Sequence, residues 1–151
     1  MSRDLADDRP GHGMTAPALS EVAAGVAVTP FSRIVTQEQI NAYADASGDH
    51  NPIHLDSEFA RSVGLPGTIA HGLLEMGIVA EAIASWAGGN ANLLSLSCRF
   101  SKPLLPGDTI ICTGTVISVD DSGVATLEVG ASSDRGDRVL TNGRATVRLS
   151  R

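Results

Sequence analysis

The short polar segment GDHNPIHLD carries the residues best suited to chemistry. It contains Asp49, His54 and Asp56, and the pair His71-Gly72 follows later in the chain. A carboxylate and an imidazole that share one water molecule can take a proton from it, because imidazole titrates near neutral pH. The segment therefore indicates acid–base chemistry, with Asp49 and His54 as the proton-transferring pair.

Gly72 begins an apolar stretch whose composition predicts a helix. A backbone N–H at a helix N-terminus has no intrahelical acceptor and is reinforced by the helix dipole. It can therefore hydrogen bond to a carbonyl oxygen that gains negative charge, and the missing side chain lets a substrate approach closely. Asp49, His54 and Gly72 together fit the addition of water to a double bond beside a carbonyl group.

A metal site is the main alternative chemistry for this segment. His50, His54, Asp49 and Asp56 are all residue types that bind metal ions. However, Pro52 disrupts the helix that would place both histidines on one face, and the glutamate of an HExxH motif is absent. We therefore expect no metal.

The longest predicted helix runs from His71 to Ala87 and is apolar almost all round, which indicates burial on most sides. Glu75 and Glu81 interrupt it, but their spacing points them in different directions. We expect both to be structural, with Glu75 near the active-site end or a dimer partner and Glu81 at a rim. A shorter helix is predicted from Gln37 to about Ala46, because Thr36 and Gln39 have the spacing of a capping box.

Alternating apolar and polar residues predict the strands. Leu94, Leu96, Cys98 and Phe100 are expected to face the core, and further strands are expected at about 109–119, 124–132 and 138–149. One early strand, helices and then consecutive antiparallel strands predict an α+β domain whose sheet curls around the long helix.

At 151 residues the chain is too short for two ordinary domains. Residues 1–20 are polar and lack hydrophobic periodicity, so we expect a flexible tail there and a single domain at 21–151. The tail carries Asp4, Asp7 and Asp8 where a secretory signal would need an apolar run. These features predict a cytoplasmic protein.

The composition excludes several classes of protein. The formal charge is −6 and no stretch is strongly basic, so the positive surface that nucleic-acid binding requires is missing. The long helix is too short and too acidic for a membrane span. Cys98 and Cys112 lie in apolar segments without CxxC spacing, which indicates core positions and a reducing compartment. We expect no nucleic-acid or membrane partner.

The segments YADASGDHNPIHLD and GTIAHGLLEMG resemble the signature of the MaoC-like family of (R)-specific enoyl hydratases and (3R)-hydroxyacyl dehydratases. The resemblance covers roughly 26–149 and includes RFSKPLLPGD after the apolar helix. It implies the hotdog fold, an antiparallel sheet wrapped around a long central helix. It also implies reversible hydration of trans-2-enoyl thioesters, with catalytic residues at Asp49 and His54 and an oxyanion-binding amide at Gly72.

The resemblance further implies what the protein binds. The acyl thioester would be carried by coenzyme A or an acyl carrier protein, and no cofactor would be needed. Arg99 and Lys102 could meet the phosphates of the carrier, although a solvated strand face is an equal alternative. Asn51 is expected to brace the loop near the substrate, and Pro52 to fix the chain direction there. His71 is expected to cap or pack beside Gly72.

The resemblance is greatest to catalytic subunits that work beside a homologous subunit lacking the dyad. It therefore implies a homodimer or a heterodimer of hotdog subunits. Two alternative functions remain open: an acyl-binding or partner subunit with little activity alone, and a thioesterase on the same fold. Small residues such as Gly77 and Ala80 on the long helix fit either an acyl tunnel or close packing on the sheet.

Overall fold

The structure is a computed structural model and describes residues 16–150. Most of the predicted tail, 1–20, lies outside these residues, so its flexibility and the domain boundary at residue 20 stay predictions. Within the described part, Leu19–Glu21 form a short 3-10 helix. The Leu19 N–H donates to the carbonyl oxygen of Ser150 at 3.1 Å, which joins the two ends of the described chain.

Five antiparallel strands form one sheet in the order β1-β3-β4-β5-β2. Tight turns join β3 to β4 and β4 to β5, as the DDSG and DRGD segments predict. The sheet therefore ends in two edge strands, the four-residue β1 and the eight-residue β2. The strands are β1 (Phe31–Ile34), β2 (Leu93–Phe100), β3 (Thr109–Val119), β4 (Val124–Ser133) and β5 (Arg138–Arg148).

In the described part of the chain, four α-helices precede the long strands: α1 (Gln37–Ser47), α2 (Pro52–Leu55), α3 (Ser57–Ser62) and α4 (Gly72–Trp86). Helix α4 is buried through Ile78, Val79, Ala82 and Ile83, and it packs against β2, β3 and β5. The predicted α+β architecture is confirmed, with the sheet wrapped around a central helix as in the hotdog fold. None of the helices within 16–150 is both long and apolar enough to cross a bilayer.

One part of the strand prediction was wrong. The alternation in β2 predicts that Leu94 and Phe100 face the core, yet they are 47% and 46% exposed. A register shift against β5 between Leu93 and Ser95 interrupts the alternation, so that Leu93 packs on the core instead of Leu94. Leu96 packs on the core as predicted.

Candidate active site

The turn after α1 builds the platform for the predicted dyad. Gly48 ends α1 in the left-handed conformation, with φ 79°, which glycine adopts without strain. Asn51 caps α2 by accepting from the Ile53 N–H. Pro52 takes the first position of α2, where its missing N–H leaves no helical hydrogen bond unmade. This single turn of helix fixes the position of His54.

Asp49 and His54 face each other across a short gap. The Nε2 atom of His54 lies 3.8 Å from Oδ2 of Asp49, too far for a direct hydrogen bond. The Nδ1–H of His54 donates to the carbonyl oxygen of Ile69 at 2.8 Å, which leaves Nε2 as an acceptor in the neutral ring. The Asn51 N–H donates to Oδ1 of Asp49 at 3.2 Å and thereby orients Oδ2 toward the imidazole.

His71 lies behind the dyad and touches both of its members. Its ring stacks on that of His54 with centroids 3.9 Å apart, and its Nε2–H donates to the carbonyl oxygen of Asp49 at 3.0 Å. The residue is 1% exposed. Burial lowers the pKa of His71 against the opposing effect of the Asp49 hydrogen bond, so the ring is neutral at pH 7. His71 is thus placed to position the dyad.

Two residues that the sequence did not reveal hold His54 from another side. The Nε2 atom of Gln37 donates to the carbonyl oxygen of His54 at 2.8 Å. The Oε1 atom of Gln37 accepts from the buried Thr68 hydroxyl at 2.6 Å. These contacts connect α1, α2 and the loop before α4. Because they join residues distant in sequence, no local pattern indicates them.

A pocket of about 280 Å³ opens beside His54 and Gly72. Its inner end is formed by three buried residues, His54, Ala70 and Glu75, and its rim by three exposed ones, Phe100, Ser101 and Lys102. The remaining lining residues are Leu65, Ile69, Gly72 and Pro103. A pocket of this size accommodates the short, mostly apolar part of a ligand.

Gly72 is the first residue of α4, so its N–H has no acceptor within the helix. A Cβ atom at this position would lie 2.8 Å from the Phe100 ring, a distance that real Cβ atoms essentially never show. A side chain at position 72 would therefore require the exposed Phe100 ring to move, whereas glycine fits without a shift and leaves the amide accessible. Gly72 lines the same pocket as His54.

The other predicted substrate contacts differ in their placement. Lys102 lies at the rim of the pocket, whereas Arg99 is exposed on β2 and does not line the pocket. Asn51 caps α2 and Pro52 is its first residue, and neither lines the pocket. They therefore affect the site by fixing the position of the short helix that carries His54. The structure therefore brings His54, Gly72 and Lys102 together around one cavity, with Asp49 beside His54.

The geometry bears on the alternative of a metal site. Asp49, His54 and His71 have ligand atoms within 4.8 Å of one another. However, the two histidine rings are stacked with centroids 3.9 Å apart and an interplanar angle of 28°, so their in-plane lone pairs lie in separate, nearly parallel planes. A metal ion needs these lone pairs to converge at about 2.0–2.1 Å from each nitrogen. The donor set therefore fits acid–base chemistry better than metal binding.

The two remaining residues of the metal alternative have other partners. His50 is exposed, and its Nε2 lies 3.1 Å from Oδ1 of Asp45. Asp56 caps α3 by accepting from the backbone of Glu58 and Phe59. Neither residue contributes to the Asp49–His54–His71 cluster. The predicted absence of a metal stays a prediction.

The model of the MaoC-like domain family matches residues 21–134. The chain belongs to this family. The family membership inferred from the two signature segments is therefore confirmed. The match includes α1 to α4, the dyad, Gly72 and every residue that lines the pocket of this MaoC-like domain.

Similar proteins carry related names. The 3-hydroxyacyl-thioester dehydratase Y of Mycobacterium tuberculosis is 39% identical over 99 residues, which cover 62% of this chain and 33% of that protein. The (R)-hydratase from A. caviae involved in PHA biosynthesis is 27% identical with TM-score 0.77, covering 85% of this chain and 97% of the other. The ChsH1-ChsH2 complex from Mycobacterium tuberculosis is 25% identical with TM-score 0.74, covering 83% and 97%. The MaoC-like chain thus spans about a third of the dehydratase Y and nearly all of the two solved chains.

Proposed function

We propose that this MaoC-like domain catalyses the reversible hydration of trans-2-enoyl thioesters to (3R)-hydroxyacyl thioesters. The observation that carries the proposal is the placement of the Asp49–His54 dyad beside the free amide of Gly72 at one pocket. The names of the similar proteins, a 3-hydroxyacyl-thioester dehydratase and an (R)-hydratase, support the same reaction.

The gap between the dyad atoms suits one bridging water molecule. Oδ2 of Asp49 and Nε2 of His54 are both acceptors and lie 3.8 Å apart, so a water can donate one O–H to each. Its lone pair is then free to attack C3 of the enoyl group. The water oxygen bonds to C3, one of its protons passes to the dyad, and the dyad delivers a proton to C2, so that one hydroxyl group and one hydrogen are added across the double bond. The reverse sequence removes water.

Gly72 supplies the stabilisation of charge. As water adds to C3, electrons move onto the thioester oxygen, and the Gly72 N–H at the start of α4 can donate to that oxygen. The helix dipole favours the same negative charge. Because the dyad transfers the protons and the Gly72 amide stabilises the negative charge on the thioester oxygen, the proposed reaction requires no cofactor.

Lys102 suits the carrier of the acyl group. It lies exposed at the rim of the pocket, where the phosphates of coenzyme A or the phosphopantetheine of an acyl carrier protein would emerge. A flexible ammonium group binds phosphate as a point charge. Arg99 is exposed outside the pocket lining and is a second candidate for contact with the carrier.

We also propose that the domain pairs with a homologous hotdog domain, either a second copy or a different chain. The edge strand β2 exposes Leu94 and Phe100, and Leu73 on α4 is 62% exposed. Unpaired edges and exposed apolar residues favour association. The similarity to a solved complex of two named chains, ChsH1 and ChsH2, supports such pairing. The cytoplasm is the proposed location, supported by the free thiols Cys98 and Cys112.

The test is an assay of the purified chain with trans-2-butenoyl-CoA. We expect the absorbance of the conjugated enoyl group to fall as water adds, and chiral analysis to identify the (3R)-hydroxyacyl product. A parallel assay for free thiol distinguishes hydration from thioester hydrolysis. Release of coenzyme A without loss of the double bond would show a thioesterase instead, and no reaction with either assay would contradict catalysis by this chain.

A further inference from the structure

A carboxyl group lies at the inner end of the pocket. Glu75 is 3% exposed and stands one helical turn beyond Gly72 on α4. Within residues 16–150, no backbone or side-chain group forms a hydrogen bond with its carboxyl oxygens, and the one fully enclosed side-chain atom without a partner is Nδ1 of His71. The Glu75 oxygens therefore keep some contact with the pocket, where water or a ligand atom can hydrogen bond to them.

The surroundings determine the protonation state of Glu75. Burial raises its pKa to about 8, so the group is a neutral carboxylic acid at pH 7. Cys98 on β2 is a titratable neighbour of Glu75. Burial raises the pKa of this thiol, and the negative charge of ionised Glu75 raises it further. A neutral carboxylic acid offers one O–H donor and one carbonyl acceptor.

The position of the reacting atoms places the acyl chain near this acid. When the thioester oxygen accepts from the Gly72 N–H and C3 faces the dyad, the atoms beyond C3 have the buried end of the pocket available to them, at Ala70 and Glu75. The small residues Gly77 and Ala80 line a separate groove with Ala84 and Leu93. Within residues 16–150, this pocket therefore reaches Glu75, and its lining does not include Gly77 or Ala80.

We propose that Glu75 is a specificity-determining residue that hydrogen bonds to an oxygen atom in the acyl chain. The preferred substrates are then enoyl thioesters that carry a carbonyl or hydroxyl group beyond the reacting double bond, rather than a plain alkyl chain. An alkyl chain leaves the acid unpartnered, whereas an oxygen atom satisfies it. This inference rests on the proposed hydration activity and narrows its substrate class.

The experiment compares matched thioesters of coenzyme A. The reactive pair is trans-2-hexenoyl-CoA and its 5-hydroxy derivative, compared by kcat/KM. The unreactive pair is hexanoyl-CoA and 5-hydroxyhexanoyl-CoA, compared by calorimetric Kd. We expect the wild type to favour the oxygenated member of each pair about tenfold, the scale of one buried hydrogen bond that is otherwise left unmade.

Three variants test whether Glu75 causes the preference for the oxygenated thioester. Glu75→Leu should abolish or reverse the preference, while Glu75→Gln should keep part of it because an amide also donates and accepts. Glu81→Gln is the matched control on the same helix, since Glu81 pairs with Arg33 outside this pocket and the preference should stay at the wild-type value. Circular dichroism checks that each variant is folded.

The possible results distinguish the specificity role of Glu75 from the proposed hydration activity. Equal kcat/KM and equal Kd for both members of each pair in the wild type would overturn the role of Glu75 while leaving hydration intact. A preference that survives unchanged in folded Glu75→Leu would also overturn it. If the wild type binds the oxygenated unreactive thioester more tightly but hydrates neither enoyl compound, the specificity role stands and the proposed activity fails.

Discussion

The side chains of Asp49 and His54 differ in how firmly their surroundings fix them. The His54 ring is buried, fixed through Ile69 and stacked on His71, whereas the Asp49 side chain is 51% exposed and is oriented by one backbone N–H. Asp49→Asn should therefore leave the fold almost unchanged, whereas His54→Ala also removes the hydrogen bond to Ile69 and the contact with His71.

We predict that Asp49→Asn and His54→Ala each lower kcat for trans-2-butenoyl-CoA by at least about two orders of magnitude, because each removes one partner in proton transfer. His50→Ala is the matched control, since His50 is exposed and pairs with Asp45. It should retain the wild-type rate. Near-normal kcat in a folded dyad variant would contradict the assignment of the dyad.

Glu75 predicts a pH dependence of stability. Its pKa is about 8 in the folded chain against an ordinary value of 4.5, so between these values the unfolded chain loses a proton that the folded chain keeps. The free energy of unfolding should therefore fall as pH rises through this window, by at most about 1.4 kcal/mol per pH unit. Urea denaturation at pH 5, 6.5 and 8 measures the slope.

The variant Glu75→Gln should lack this contribution to the slope, because an amide does not titrate. Glu81→Gln, whose carboxyl pairs with Arg33 in the wild type, should keep it. If the wild type and Glu75→Gln change in stability by the same amount across the window, Glu75 is not the buried acid responsible.

Among the helices and strands, those with a regular spacing of buried apolar residues could be predicted from the sequence. The predicted helix 71–87 and strand 109–119 match α4 and β3 closely, because apolar residues recur there with helical or alternating spacing. The short helix α2 was not predicted, although Asn51 and Pro52 are local signals for a helix start. Each of these features depends on neighbours in sequence.

Features that depend on distant contacts could not be predicted. The Gln37 hydrogen bonds to His54 and Thr68 exist only after α1 packs on the loop before α4. The exposure of Leu94 follows from the register of β2 against β5, which its own alternation does not encode. The sequence places Glu75 only near the active-site end of the helix or near a dimer partner, because its position in the pocket depends on the packing of β2 on α4.

Asp108 and Arg135 join two elements of the sheet. Asp108 precedes β3 and accepts from the Arg135 side chain, in the turn between β4 and β5, at 2.9 Å. Burial acts to raise the pKa of Asp108, but the hydrogen bond from Arg135 and the Leu105 N–H outweigh it and hold the pKa below its usual range. The stabilisation is therefore present above pH 4 and is lost as pH falls through the lowered pKa.

We predict that Arg135→Gln lowers the free energy of unfolding at pH 7, and only modestly because the arginine is 42% exposed. The difference from the wild type should shrink as pH falls through the lowered pKa of Asp108 and its carboxyl becomes protonated. Chemical denaturation at pH 7 and at successively lower pH values measures it. A difference that stays constant with pH would show that packing, and not the ion pair, causes the loss.

At the scale of the whole molecule, the two edges of the sheet are unequal. Strand β2 has eight residues and exposes Leu94 and Phe100, whereas β1 has four and exposes Ile34. The longer edge offers more unpaired backbone groups and more apolar surface to a second domain. Pairing through β2 would also bring the second domain close to the rim of the pocket, which Phe100 helps to form.

We predict a dimer at micromolar concentration in light scattering, with β2 at the interface. Leu94→Lys should shift the protein to monomer, because it places a charge in the contact. Ile34→Lys on the opposite edge is the matched control and should leave the mass unchanged. A monomeric wild type, or equal dissociation by both variants, would contradict an interface at β2.

The contact between Gly72 and Phe100 limits how this sequence can evolve. The aromatic ring occupies the space that any side chain at position 72 would need. A side chain at position 72 therefore requires the exposed Phe100 ring to move or to be replaced by a smaller residue, whereas a smaller residue at position 100 requires no change at position 72. The two substitutions are easier in one order than in the other, so the residue at position 100 affects which side chains a lineage can acquire at position 72.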